Sequence, residues 1–344
     1  MSPTTSSIII TSLATGTIIT ASSYHWLMAW IGLEINTLAI IPLISKKHHP
    51  RSTEASTKYF LTQAAASALI LFSSTMNAKY TGTWDITQLT TTQSTTLLTM
   101  ALAMKLGLAP THFWLPEVLQ GSSMSTALII TTWQKLAPTT LLYMTTNTLP
   151  TTMILMMGTL STLVGGWGGL NQTQLRKLMA FSSIAHLGWI FTISSMLTNI
   201  MLLNLFIYII MTTTMFSSLI LLNLKTIKDT TTLSTTSPTL TIIIALTLLS
   251  LGGLPPLSGF IPKWLILEEL TNQNLLPISL LMAMSALLSL FFYLRLTYTT
   301  TLTLAPNTTM STHKWRFTQQ TKTTLISTTA PLSLLLLPTT PLLT

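Results

Sequence analysis

The chain of 344 residues has no cysteine and very little charge: 7 acidic and 16 basic residues, 7% of the whole. An average soluble protein is about 25% charged, and a water-facing surface cannot be built from so little. The missing cysteines exclude a disulfide scaffold, thiolate zinc sites and cysteine-ligated iron–sulfur clusters, so any redox centre belongs to another chain. Residues 1–5 lack both the basic start of a secretory signal and the Arg-rich amphipathic pattern of a transit peptide, and no leader is expected to be removed.

What the chain has instead is apolar length. Hydrophobic residues make up 48% and the mean hydropathy is +0.59, the composition of a chain solvated mainly by lipid. A hydrocarbon core of about 30 Å takes about 20 apolar residues per helix, and that length, with polar punctuation, parses the sequence into about eleven spans. They run over 3–22, 24–44, 57–76, 95–121, 123–144, 151–169, 178–197, 199–224, 239–270, 275–298 and 323–341. The fold class expected is all-α, a single polytopic membrane domain over 1–344. Abundant threonine is no obstacle, because its hydroxyl can bond a carbonyl one turn back in its own helix.

A net charge of +9 does not point to nucleic acid, since the basic residues fall in short loops. Twelve of the 16 lie in or beside the loops after spans 2, 4, 6, 8 and 10; Lys79 alone lies on the opposite side, and Lys105, Lys135 and Lys263 fall inside spans. By the positive-inside rule the N-terminus is on the basic side and, with an odd number of spans, the C-terminus on the other.

Spans 4 and 9 are interrupted by glycine and proline and match each other at an offset of 146 residues. Leu106–Pro116 (LGLAPTHFWLP) and Gly252–Pro262 (GGLPPLSGFIP) share one Gly, one Leu and two Pro in register. Each reads as a broken helix, at about residues 107–111 and 253–259, because proline removes a backbone donor and crowds the preceding turn. Being five spans apart, the two cross in opposite directions. The repeat is therefore inverted, with 57–197 as the first half and 199–341 as the second half plus a C-terminal helix. Paired broken helices in inverted halves point to a transport site near mid-membrane.

Ionisable residues inside the spans carry the chemistry. Glu34 is central in span 2, Lys105 precedes the first break by one turn, Lys135 is central in span 5, and Lys263 follows Pro262 directly. Each buried charge costs about 2.5–3.5 kcal/mol, so all need partners or water, and Glu34 is expected within ion-pair or single-water distance of Lys105. Burial disfavours a lysine's ammonium and a nearby carboxylate favours it, so a change in distance to Glu34 would load or unload a proton. A sodium cage needs several oxygens, and only one mid-membrane carboxylate is present. Static ion pairs that lock helices together are the plainer alternative. His186, central in span 7, suits a proton shuttle or a structural bond to a carbonyl. His112 lies within the first break and could serve either purpose. Glu117 is the counterpart of Lys263 under the offset, either a relay group toward the basic side or a wetted helix-end carboxylate.

Weaker signals remain. Gly165-Gly166-Trp167-Gly168-Gly169 has no phosphate-loop spacing and reads as close helix packing. Asn171-Gln172-Thr173 and Asn307-Thr308-Thr309 match the short glycosylation pattern, and no spacing supports haem ligation by His112 and His186.

The segments WIGLEIN (30–36), KLGLAPTHFWLPE (105–117), WQKLAP (133–138), AFSSIAHLG (180–188) and GGLPPLSGF (252–260) together resemble the antiporter-like membrane subunits of mitochondrial NADH:ubiquinone oxidoreductase, respiratory complex I. The resemblance covers essentially the whole chain. It implies Glu34 paired to Lys105, Lys135 as a connecting lysine and Lys263 at the terminal position of a hydrophilic axis. It also implies the mitochondrial inner membrane, with basic loops in the matrix. Implied partners are other membrane-arm and peripheral-arm subunits and the lipid bilayer, cardiolipin being a candidate; no nucleic acid and no cofactor of this chain's own are implied. Three departures stand out: relatives have fourteen helices, and this chain lacks counterparts of the first three; Phe181 stands where the family usually has Tyr; and Lys263 stands where some sister subunits have a carboxylate. Moving a proton against about 150 mV costs about 3.5 kcal/mol, and no nucleotide or redox motif here supplies it. The function implied is proton translocation driven by electron transfer elsewhere in the complex. A cation/proton antiporter subunit and a purely structural subunit are the alternatives.

Overall fold

The computed structural model describes residues 2–47, 49–233, 237–302 and 323–339. They form fifteen α-helices with short 3-10 turns, and among the described residues there is no strand. The helices are α1 (Pro3–Ser22), α2 (Trp26–Ile44), α3 (Pro50–Thr81), α4 (Thr92–Leu106), α5 (Trp114–Gly121), α6 (Met124–Thr131), α7 (Trp133–Thr145) and α8 (Thr151–Gly169). They continue with α9 (Leu175–Ile193), α10 (Thr198–Leu221), α11 (Ile227–Thr230), α12 (Pro238–Gly252), α13 (Phe260–Asn272), α14 (Leu276–Thr300) and α15 (Thr324–Leu335). Five of them, α1, α2, α3, α10 and α14, are long and apolar enough to cross a membrane. Lys314, Arg316, Lys322 and the Asn307 glycosylation pattern lie outside the described residues.

The chain forms two compact units, Met1–Ser161 with Ile190–Thr198, and Thr162–Trp189 with Asn199–Thr344. In the first, α1 and α2 touch through backbone: a Cβ on Gly16 would meet the Gly32 carbonyl oxygen at 2.9 Å, and one on Gly32 would meet the Gly16 oxygen at 2.8 Å. Where lipid offers no hydrophobic drive between helices, such close approach supplies the packing. The loop after α3 is clipped to the α1–α2 turn. Trp26 N–H donates to the Trp84 carbonyl, Ile86 N–H to that of Tyr24, the Trp26 indole donates to the Asp85 carbonyl, and His25 stacks on Trp84.

The glycine-rich segment at the end of α8 packs closely inside the second unit. Gly165 and Gly168 receive Ala185 and Phe181 of α9, while Gly166 and Gly169 receive Leu288 and Phe292 of α14. Trp167, between them, is exposed. At the end of α14, Arg295 donates to the carbonyls of Leu170 and Gln172.

Serine and threonine solve their own burial. Their hydroxyls donate to carbonyls three or four residues back, as at Thr99 to Thr96, Thr139 to Lys135, Ser182 to Met179 and Thr212 to Tyr208. A hydroxyl bonded this way crosses lipid without an unpaired donor.

Over the two spans read as broken helices, α4 ends at Leu106 and α5 starts at Trp114, and α12 ends at Gly252 and α13 starts at Phe260. A further interruption was not expected. Residues 123–144 were parsed as one helix, but α6 ends at Thr131 and α7 begins at Trp133, with Thr132 at φ −109°, ψ −69°. Pro138 cannot donate to the Gln134 carbonyl and its ring crowds it. One turn earlier, the Thr131 and Thr132 hydroxyls take the Ala127 and Leu128 carbonyls, a competition that bends helices.

Candidate functional site

Both interruptions begin with the same cap. Gly107 and Gly253, 146 residues apart, have φ of 78° and 81°, left-handed values that glycine adopts without strain. Gly107 N–H donates to the carbonyls of Ala103 and Met104, and Leu108 N–H to that of Ala103; Gly253 N–H donates to Leu249 and Ser250, and Leu254 N–H to Leu249. This is the Schellman arrangement, and it leaves the last carbonyls of each helix needing other donors.

Lysines supply them. In the first unit the Lys135 ammonium, from α7, donates to the Leu106 carbonyl at 2.6 Å. In the second, the Lys263 ammonium, from the first turn of α13, donates to the carbonyls of Gly252 at 2.8 Å and Leu251 at 3.3 Å. Leu106 and Gly252 are themselves 146 residues apart, so equivalent carbonyls accept from lysines that arrive from different elements. A cation at the C-terminal end of a helix also meets the negative end of its dipole.

Around Lys135 lies a polar cluster. Lys105 is buried at the last turn of α4, and its Nζ, the amide atoms of Asn36 and Nε2 of Gln134 are buried without a hydrogen-bond partner among the described residues. These three side chains, with Lys135, Tyr59, Gln63 and Trp114, line a cavity of about 10 Å³, the room one water needs. Glu34 is half-buried on α2, and its carboxylate accepts from the Thr37 hydroxyl at 3.1 Å. The expected approach of Glu34 to Lys105 does not take the form of a direct ion pair, since Lys105 Nζ has no hydrogen-bond partner among the described residues. The Thr37 hydroxyl shares its one hydrogen between the Glu34 carboxylate and the Glu34 backbone carbonyl, which it meets at 2.9 Å. The Glu34 charge acts on Lys105 through space.

In the second unit, His186 of α9 is buried and hydrogen-bonded to the Leu251 carbonyl, so it shares an acceptor with Lys263. Its ring lies 5.6 Å from that of Tyr208. His112 is buried in the stretch after α4, against Phe113 at 4.2 Å between ring centroids. Glu117 is not among the buried groups. Its side chain is 52% exposed and pairs with Lys58 at 2.7 Å, and Lys58 also pairs with Glu54. Among the described residues no His, Asp and Glu cluster is placed to hold a metal.

Sequence reading missed Trp114. Its indole N–H donates to the Met104 carbonyl at 3.1 Å, Lys135 Nζ lies 5.4 Å from its ring centroid, and Tyr59 meets it edge-on at 5.8 Å. The bare Gly107 gives that ring its seat, for a Cβ there would lie 3.2 Å from it. Asn36 and Gln134 were missed as well, because neutral amides carry no charge to flag them.

Outside the spans, the turn after α10 is held by Asp229, whose carboxylate accepts from the amides of Lys225 at 2.9 Å and Thr226 at 2.8 Å. Burial pushes this carboxyl up, but the Thr226 and Lys225 amides, the Thr226 hydroxyl and the Lys225 charge outweigh it and hold it below the ordinary Asp value.

The described geometry has close counterparts. Residues 23–289 match the family model for the membrane region of NADH:quinone oxidoreductase and Mrp antiporter proteins, and residues 290–344 match the model for the NADH dehydrogenase subunit 2 C-terminus. NADH-ubiquinone oxidoreductase chain 2 of Varanus timorensis is 58% identical over all of this chain and 99% of its own length. The Xenopus laevis protein of the same name is 57% identical, covering 99% of each. Among solved structures, a chain of respiratory complex I from Thermus thermophilus superimposes with a TM-score of 0.84 at 26% identity, over 95% of this chain and 76% of that one. A chain of the Mrp complex from Dietzia sp. shares the fold, with a TM-score of 0.81 at 15% identity over 97% and 75%. End-to-end identity of this order, and a C-terminal model specific to one subunit type, leave one assignment: the chain belongs to the NADH-ubiquinone oxidoreductase chain 2 family.

Proposed function

We propose that the chain is a proton-translocating, antiporter-like subunit of the membrane arm of complex I, coupling NADH:ubiquinone electron transfer in other chains to proton movement through Glu34, Lys105, Lys135, His186 and Lys263. His112 and Glu117 are secondary members, Glu117 at the exposed margin. The observation that carries the reading is the pair of buried lysine ammonium groups on equivalent freed carbonyls of α4 and α12. A transport site built on interrupted helices has this form, with unwound backbone and helix C-terminal ends facing the cation. In this reading α4 with α5, and α12 with α13, each make one broken crossing. The chain then crosses the inner membrane about eleven times, with residues 57–197 and 199–341 as inverted halves and the basic loops and N-terminus in the matrix. Other membrane-arm and peripheral-arm subunits are its partners, cardiolipin is the lipid its basic loops suit, and the chain needs no cofactor of its own.

A second reading is favoured by the same bonds: Lys135 and Lys263 are fixed helix caps and nothing more. Charge-neutralising substitution separates them. With Lys135→Met in the assembled complex, a relay predicts lost proton pumping at near-normal assembly, whereas a cap predicts poor assembly and an unchanged proton-to-electron ratio in whatever assembles. Sodium uptake tracking turnover in sealed vesicles would instead favour cation/proton antiport.

A further inference from the structure

We infer that Trp114 is a positioning residue for Lys135, holding its ammonium between an aromatic face and the Leu106 carbonyl. Four contacts converge on this indole. Its N–H donates to the Met104 carbonyl, which also accepts from the Gly107 N–H of the cap, so Trp114 ties the last turn of α4 to the first turn of α5. Its face lies 5.4 Å from Lys135 Nζ, within the reach of a cation–π attraction, which strengthens where water is excluded. The edge-on contact with Tyr59 fixes the ring's tilt, and the absence of a side chain at Gly107 lets it lie against the cap. An ammonium gains from this face and a neutral amine does not, so the ring biases Lys135 toward its protonated form. The Leu106 carbonyl adds to that bias, because an ammonium donates to it more strongly than a neutral amine does.

The titratable groups that face Lys135 are Lys105 on α4 and Tyr59 on α3, which line the same cavity, with Glu34 on α2 acting through space on both. Trp114 acts on this set without carrying charge. The inference rests on Lys135 carrying protons in turnover.

The test uses the complete complex in sealed vesicles, with protons pumped per electron pair followed against pH and normalised to assembled complex. Trp114→Phe keeps a face and loses the N–H bond; Trp114→Leu and Trp114→Met lose the face, and Met, being flexible, fills the ring's volume if Leu does not assemble. The expected result is that the alkaline fall-off in pumping moves to lower pH by about one unit in the Leu or Met variant, a tenfold change in Lys135 proton affinity, while Phe restores most of the shift. A fall-off unmoved in the Leu or Met variant, or moved as far by Phe as by Leu, overturns the inference. Lys135→Met keeps the two levels apart. If it pumps normally, the proton-carrying role of Lys135 fails; if it stops pumping while the Leu and Met profiles stay in place, the positioning role of Trp114 alone fails.

Discussion

An ammonium has three hydrogens to place, and Lys263 places two of them on the Gly252 and Leu251 carbonyls. Removing that charge strips donors from a helix end already short of them, yet a methionine in its place keeps most of the stem's volume. If Lys263 is a proton-loading site, Lys263→Met loses proton pumping and coupled quinone reduction while assembly stays near normal. Measured per assembled complex in sealed vesicles, an unchanged proton-to-electron ratio with unchanged turnover would refute the role. His186 shares the Leu251 carbonyl, so His186→Ala should free that acceptor for Lys263 and lower pumping by less than the lysine substitution does. Charged residues were readable as candidates because a lone charge in an apolar run is conspicuous. Their partners were not, since the Leu106, Leu251 and Gly252 carbonyls belong to residues whose side chains say nothing of the role.

At the scale of the element, the two interruptions depend on a glycine each. Alanine at Gly107 would take a left-handed backbone at a cost of about 1–2 kcal/mol and press its Cβ to 3.0 Å from Leu115 and 3.2 Å from Trp114. Gly253→Ala carries the same backbone cost and meets Lys263 Cδ at 2.8 Å and Nζ at 2.9 Å. Both variants should lower the melting temperature of the complex, and Gly253→Ala should also impair pumping in what assembles, because its new methyl group displaces the lysine itself. Equal loss of pumping in the two would contradict this difference. Most helices were legible from apolar length, and the ends of α4 and α12 from Gly107 and Gly253. The turn at Thr132 was not, because Thr-Thr-Trp carries no helix-breaking residue. The bend arises from Pro138 and from hydroxyl bonds that sequence shows only as composition.

For the whole molecule, the basic loops carry both orientation and local order. If they lie in the matrix, an impermeant amine reagent should label Lys225 and Lys228 in inside-out vesicles of the inner membrane and spare them in intact mitochondria; labelling from the other side would reverse the topology. The Asp229 cap in that loop has a definite pH window. Its carboxyl is held below the ordinary Asp value, so its contribution is complete above about pH 4 and is lost as pH falls through the lower, folded value. Hydrogen exchange of the Lys225 and Thr226 amides, corrected for intrinsic rate, should stay slow from neutral pH down to about pH 4 and quicken below it, and Asp229→Asn should quicken it at neutral pH. The same accounting of donors applies along every threonine-rich helix. A hopping proton needs a group that accepts on one side and donates on the other, and hydroxyls such as those of Thr99, Thr139 and Ser182 have already given their hydrogen to their own backbone. Held that way, each presents a neighbour with an acceptor only, and would have to break its own backbone bond before it could hand a hydrogen on.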